Sequence, residues 1–167
     1  IGNYSTGKMG AALAKAFAKN EVVVIAAHSE VEYSGRVVKV ESAEQMLEAA
    51  LAELPCDVFI GAAAVADKRP KYYFKEKIKK SKLKKIILVP NPDVLAAIGK
   101  HPNRPKIVVG FAAESESHIK NARRKLSKKG ADMVVLNDIS ALGSDENEVW
   151  LVTKGKEQKL QKAKKED

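Results

Sequence analysis

Asp67 and the lysines that follow it are the residues of this chain best suited to chemistry. The carboxylate comes just after a small-residue run, Gly61-Ala-Ala-Ala64, which is the exit of an apolar strand, Asp57-Val-Phe-Ile60. Small residues at a strand exit let a ligand lie against backbone, because no large side chain holds it off. Residues 68–85 then hold ten Lys/Arg and one acid, a net of +9 that equals the formal net charge of the whole chain. The rest balances, with twenty basic groups against twenty acidic. Positive charge is therefore a local device, and a carboxylate beside a lysine arm reads as a polyanion site suited to phosphates.

Three other stretches carry groups of the same kind. Ser5, Thr6 and Gly7 lead into a helix marked by Met9, Ala12/Leu13 and Ala16/Phe17 at helical spacing. Free amides at such a helix start attract phosphate or carboxylate. The stretch is neither a P-loop nor a dinucleotide fingerprint, since the required glycines and the Ser/Thr after Gly-Lys are missing. In the helix near residues 117–129, Ile119, Ala122 and Leu126 point inward. Lys120, Arg123, Arg124 and Lys128 read as a solvated face, while Lys125 and Lys129, one turn apart, could meet one phosphate jointly. Asn91-Pro-Asp93 turns a strand into a short helix, with Asn91 expected as its N-cap and Pro92 at its first position. His28, His101 and His118 are scattered and no Cys/His cluster suggests zinc, so the metal ligands stay open. Cys56 is the single cysteine, which excludes an internal disulfide, and it is expected as a buried filler.

The elements that must position these groups alternate. Apolar strands are expected at residues 21–27, 37–40, 57–60, 86–89, 106–111 and 132–136, those at 21–27, 57–60 and 86–89 as buried ones. Ser42 with Gln45 forms a reciprocal cap for a helix whose stripe is Ala43, Met46, Leu47, Ala50, Leu51 and Leu54. Residues 148–153 and the Lys154-Gly155 turn suggest a hairpin at the sheet edge, and the final residues a fraying helix or tail. The alternation predicts an α/β domain, a Rossmann-like three-layer sandwich. Its sheet would be mainly parallel, with helices on both faces and an antiparallel edge hairpin. Ligands in such sheets bind beyond the carboxyl ends of the strands, where residues 61–67, 91–94, 111–113 and Asn137 all fall. At 167 residues, one domain covering 1–167 is the simplest organisation. No apolar run approaches the roughly 18–20 residues of a membrane span, and no secretory signal is visible, so a cytoplasmic enzyme is expected.

Taken together, Asn3-x-Ser-Thr-Gly-Lys-Met-Gly10, Ala62-Ala-Ala-Val-Ala-Asp67, Lys77-Ile-Lys-Lys80, Asn91-Pro-Asp93, Gly110-Phe-Ala-Ala-Glu114 and Asn137-Asp138 resemble the phosphopantothenate–cysteine ligase family, also called phosphopantothenoylcysteine synthetase, of coenzyme A biosynthesis. The resemblance covers nearly the whole chain. It implies a reaction dependent on CTP and Mg²⁺. The carboxylate of 4'-phosphopantothenate forms an acyl-cytidylate, which L-cysteine then converts to an amide with release of CMP.

Carried over by residue, the resemblance implies a CTP site at Gly61, Ala62, Ala63, Asp67, Lys77, Pro92, Asp93, Val94, Leu95, Phe111, Lys125 and Lys129. It implies an acyl-intermediate site at Asn3, Ser5, Thr6, Gly7 and Ala64, with Asn3 and Lys77 as the catalytic pair. No flavin is expected in this domain, and a homodimer is. The edge strand at 148–153 is read as needing cover. In most bacteria the family is fused behind a flavin-dependent decarboxylase, which is not present here. The family's Gly-rich first strand should precede Asn3 and is absent, Thr6 replaces a commoner serine, and the segments at 33–36 and 141–144 look short. The alternative from another class is a nucleic-acid-binding module using residues 68–85, with Tyr72, Tyr73 and Phe74 as stacking groups. With the family reading, neither nucleic acid nor membrane is expected as a partner.

Overall fold

The computed structural model describes residues 5–29, 31–74, 76, 85–114, 118–138 and 149–160. They form four helices and nine strands in three hydrogen-bonded sheets, and the chain divides into two compact units. One unit is Ala49–Ala62 with Val94–Asp167, and the other is Ile1–Glu48 with Ala63–Asp93. Each is described by itself.

The unit built on Val94–Asp167 holds a five-stranded sheet in the order β3-β6-β7-β8-β9. β3 (Val58–Gly61), β6 (Ile107–Glu114) and β7 (Met133–Asp138) are parallel. β8 (Val149–Thr153) and β9 (Glu157–Lys159) add an antiparallel hairpin. The mixed α/β architecture with a mainly parallel central sheet and an antiparallel hairpin is therefore the observed one. Alternation along each strand sorts the faces. Val108, Ala112, Val134, Leu136 and Val152 are buried on one side, against α3 (Val94–Gly99) and α4 (His118–Lys129). Ile98, Ala122 and Leu126 complete that core from the helices. β3 is less covered than the sequence suggested, with Val58 exposed. The strand at 148–153 is not the edge the sequence suggested. β9 pairs along it, so its backbone is satisfied on both sides, while the final residues, 161–167, expected as a fraying helix or tail, lie outside the described residues.

The other unit contains two small sheets. β1 (Val23–Ala26) and β2 (Arg36–Lys39) run parallel. Only Ala26 of β1 is buried, so the expectation of a strand buried on both faces fails. Residues 86–89 differ more. β5 (Leu88–Pro90) pairs antiparallel with β4 (Lys68–Pro70), which is the start of the basic segment, and Ile86, Ile87 and Leu88 stay exposed. An apolar run alone does not distinguish a buried strand from one that presents its side chains outward.

The helix α2 (Ala43–Ala52) begins as the sequence reads. The Gln45 N–H donates to Ser42 Oγ at 3.2 Å, and the Ser42 N–H donates back to Gln45 Oε1 at 3.2 Å. Met46 and Ala50 are its buried residues, while Leu51 of the expected stripe is exposed. In α1 (Lys8–Ala16) the inward face is turned by about one residue from the expected stripe. Ala14 is buried and Gly10 and Leu13 are half-buried, whereas Met9, Ala12 and Phe17 are exposed. Small residues at 10 and 14 let the helix approach its neighbours more closely than a Met/Phe face would.

Candidate functional site

In the sheet unit, the candidate residues gather at the carboxyl ends of β3 and β6. Gly61 and Gly110 stand opposite each other in the β3–β6 register. A Cβ on Gly110 would come within 2.6 Å of Leu95 Cδ2, and one on Gly61 within 3.2 Å of Leu95 Cδ1. The glycine pair is thus a socket for Leu95, which seats the first turn of α3 on the sheet. A group lying against the Gly61 backbone would therefore meet the Leu95 side chain as well. Val94 beside it is buried, and Ala62 is half-buried with its N–H donated to the Ile60 carbonyl at 3.2 Å. The Lys125 ammonium donates to the Phe111 carbonyl, tying α4 to β6. Lys125 and Lys129, one turn apart on α4, are both half-buried.

In the other unit, Gly7 caps α1 with φ +80°, a left-handed backbone that glycine adopts without strain. Space is also short there: a Cβ on Gly7 would sit 2.5 Å from the Tyr33 hydroxyl oxygen and 2.7 Å from Ser29 Oγ. Ser5 is exposed, and Thr6 Oγ1 accepts from the Lys8 N–H at 3.5 Å. Ala63, Ala64 and Asp67 are exposed and Pro92 is half-buried. Asn91 is not a helix cap, because α3 starts three residues later, at Val94. Its amide Nδ2 donates to the Ala66 carbonyl at 2.7 Å and its backbone N–H to the Asp67 carbonyl at 2.8 Å. Arg69 completes this arrangement, donating to Asn91 Oδ1 at 3.3 Å and the Pro90 carbonyl at 2.6 Å, and pairing with Glu44 at 2.5 Å. Asp93 is exposed at the end of this segment. Asn3 and Lys77 lie outside the described residues.

Several of these partners carry no signal in sequence. Arg69 is one cation among ten in its run, Tyr33 a lone aromatic in a short loop, and the Leu95 socket needs the strand register. Cys56 is half-buried, not buried, and loss of solvation, followed by the charges of Asp57 and Glu53, raises its thiol pKa. That makes it a poor nucleophile. Tyr72, Tyr73 and Phe74 are exposed to 56, 88 and 59%, with the Lys71 ammonium 5.3 Å from the Tyr72 ring centre. Among the described residues no three His, Cys, Asp or Glu groups cluster as a metal cage, and no helix is long and apolar enough to cross a membrane.

The fold recurs in known proteins. The Coenzyme A biosynthesis bifunctional protein CoaBC of Borreliella burgdorferi is 38% identical over 160 residues, 91% of this chain and 41% of that protein. The chain thus spans well under half of that relative. The crystal structure of the C-terminal domain of a CoaBC superposes with a TM-score of 0.78 at 34% identity, covering 95% of this chain and 74% of that one. A structure of Cab2 in complex with phosphopantothenate-cysteine shares the fold, with a TM-score of 0.69 at 18% identity over 96% of this chain and 73% of that one. Residues 1–167 match the family described as the DNA/pantothenate metabolism flavoprotein C-terminal domain, and the chain belongs to that family.

Proposed function

We propose that the chain joins 4'-phosphopantothenate to L-cysteine in two half-reactions driven by CTP. In the first, the substrate carboxylate attacks the α-phosphorus of CTP and the bond to the bridging oxygen breaks, releasing pyrophosphate. In the second, the cysteine amine attacks the acyl carbon, CMP leaves with the bonding electrons, and the amine loses a proton as the amide forms. The observation that carries this reading is the likeness to the CoaBC C-terminal domain, 34% identical over 95% of the chain.

The chemistry asks for fixed positive charge around a triphosphate and for backbone groups that hold the nucleoside. Lys77, Lys125 and Lys129 are assigned to the phosphates, with Phe111 at the nucleotide. Gly61, Ala62, Ala63 and residues 92–95 are assigned to the nucleoside, and Asn3, Ser5, Thr6, Gly7 and Ala64 to the acyl group. Mg²⁺ binds through one or two carboxylates together with phosphates and water, so a single exposed carboxylate, Asp67, fits a metal brought in by the triphosphate. When bound it would offset charge on the phosphates. Asn3 can donate and accept hydrogen bonds without changing charge, which suits it to orienting the acyl carbonyl.

The protein acts as a homodimer in the cytoplasm, as part of a longer chain that also carries a decarboxylase. The apolar residues left exposed on the β4–β5 hairpin, Ile86, Ile87, Leu88 and Tyr73, support a second copy as the partner. Tyr73→Ser with Ile86→Ser should lower the mass measured by light scattering to that of a monomer, and an unchanged dimer would move the interface elsewhere.

The deciding experiment follows pyrophosphate release with CTP against ATP, with and without phosphopantothenate. Release should need phosphopantothenate and favour CTP. Equal turnover with ATP would sink the cytidine assignment, and salt-sensitive binding to single-stranded nucleic acid without turnover would favour the alternative module.

A further inference from the structure

Arg69 offers a planar fork of donors, and three acceptors surround it. Nε meets Glu44 Oε1 at 2.5 Å, while Nη1 reaches the Pro90 carbonyl at 2.6 Å and Asn91 Oδ1 at 3.3 Å. A guanidinium only donates, so Asn91 must turn its oxygen toward it. That leaves the Asn91 NH₂ facing the Ala66 carbonyl, to which it donates at 2.7 Å. The Asn91 backbone N–H takes the next carbonyl, that of Asp67, at 2.8 Å. Arg69 itself sits in β4, opposite Val89, and the Lys71 N–H continues the ladder to the Ile87 carbonyl at 2.8 Å. The backbone on both sides of Asp67 is therefore held while its side chain stays exposed.

We infer that Arg69 is a positioning residue: with Glu44 and Asn91 it clamps the backbone around Asp67 and so presents that carboxylate to the nucleotide. The inference rests on the assignment of Asp67 above. The clamp contributes little to folding, since the Arg69 and Glu44 side chains are 39 and 45% exposed and such pairs are weak in water. Its effect belongs to substrate binding. Nor is it merely one charge of the basic run, because an ammonium cannot serve three acceptors set around a planar fork.

The test uses the whole chain, as wild type, Arg69→Gln, Arg69→Lys, Asn91→Asp and the double variant Arg69→Gln/Asn91→Asp. Asn91→Asp keeps an acceptor for Arg69 and loses the donor to Ala66. KM for CTP and kcat are read from pyrophosphate release, and backbone loosening from amide hydrogen exchange. Arg69→Gln and Arg69→Lys should both raise KM about tenfold while kcat stays within about threefold. The double variant should be no worse than the poorer single, as expected for one network. Exchange should speed up in peptides covering 63–74 and 86–93 and stay unchanged across β6 and β7. Restoration of KM by lysine, additive losses, or unchanged exchange would each overturn the clamp. If the wild type turns over no CTP, the assignment of Asp67 falls, and the exchange measurement still decides whether the clamp exists.

Discussion

The two units of this chain bury apolar surface in opposite ways. Of the fifteen buried hydrophobic residues among those described, eleven lie in the sheet unit, and the other unit has only Ala14, Ala26, Val40 and Met46. Every large side chain that is fully buried, Ile98 and Leu126 among them, also belongs to the sheet unit. The exposed large hydrophobics divide the other way, with nine of twelve in the unit that carries β4 and β5. Packing therefore holds the first region, while directional hydrogen bonds such as the Ser42–Gln45 cap and the Arg69–Asn91 clamp shape the second.

If packing governs the sheet unit, the severest single change should be one that adds an atom where two backbones touch. A Cβ on Gly99 would stand 2.2 Å from the Lys129 carbonyl and 2.8 Å from that of Gly130, and neither backbone oxygen can rotate away. Gly99→Ala should therefore cost about 3 kcal/mol, the upper end of ordinary overpacking. That would lower Tm by roughly 6–12 °C in a protein of this size. Gly155, with nothing within 4 Å of its would-be Cβ, is the control, and Gly155→Ala should change Tm by about 1 °C or less. Similar losses for both would show that the close backbone contact at Gly99 is not what the added methyl disturbs.

The Leu95 socket gives a smaller effect with a functional reading. Gly110→Ala meets only a side-chain methyl, 2.6 Å away, which can swing aside, so about 1–2 kcal/mol is expected. Displacing Leu95 should also raise KM for CTP. Gly61→Ala, at 3.2 Å from the same side chain, should cost about 0.5 kcal/mol. A KM that follows Gly61 rather than Gly110 would show that the Leu95 socket has no bearing on nucleotide binding.

The same division explains what the sequence made legible. Strands β6 and β7, the α4 core positions Ala122 and Leu126, and the β8–β9 hairpin are read directly, because burial imposes a period that the sequence must obey. The Ser42–Gln45 cap is legible for a second reason, since its partners lie three residues apart. Residues 86–90 defeat periodicity, as an apolar run looks alike whether it faces a core or a partner. Asn91 shows the other limit. Its place before Pro92 fits a helix cap, yet its actual partners, Ala66, Asp67 and Arg69, are more than twenty residues away in sequence.

If hydrogen bonds shape the unit that holds the amino-terminal part of α2, removing a local one should register cleanly. Ser42→Ala leaves the Gln45 N–H without its side-chain acceptor and should cost about 1 kcal/mol, measured by urea denaturation. A loss under about 0.3 kcal/mol would mean that water replaces the cap without penalty.

The smallest effect belongs to an ion pair at the other end of the platform. Lys106 Nζ lies 2.8 Å from Asp57 Oδ1, joining the residues just before β6 and β3, and both side chains are about 80% exposed, at 82 and 79%. The hydrogen bond from Lys106, and then its charge, holds the Asp57 carboxyl below its ordinary value of 3.8. The reciprocal interactions raise the Lys106 ammonium above its ordinary 10.5. A lowered carboxyl stabilises the fold above the unfolded value and loses that contribution as pH falls through the folded one. A raised ammonium does so below its unfolded value and loses it as pH rises through the folded one. The two limits enclose neutral pH, so Lys106→Gln should show its largest Tm deficit between about pH 5 and pH 9. The deficit should shrink as pH falls through the lowered Asp57 value, where the wild type too loses the pair, and fall away in 1 M salt, where screening acts over about 3 Å. A deficit that persists under both conditions would assign the role of Lys106 to its methylene stem lying against the sheet, and packing would then extend even to the exposed end of the platform.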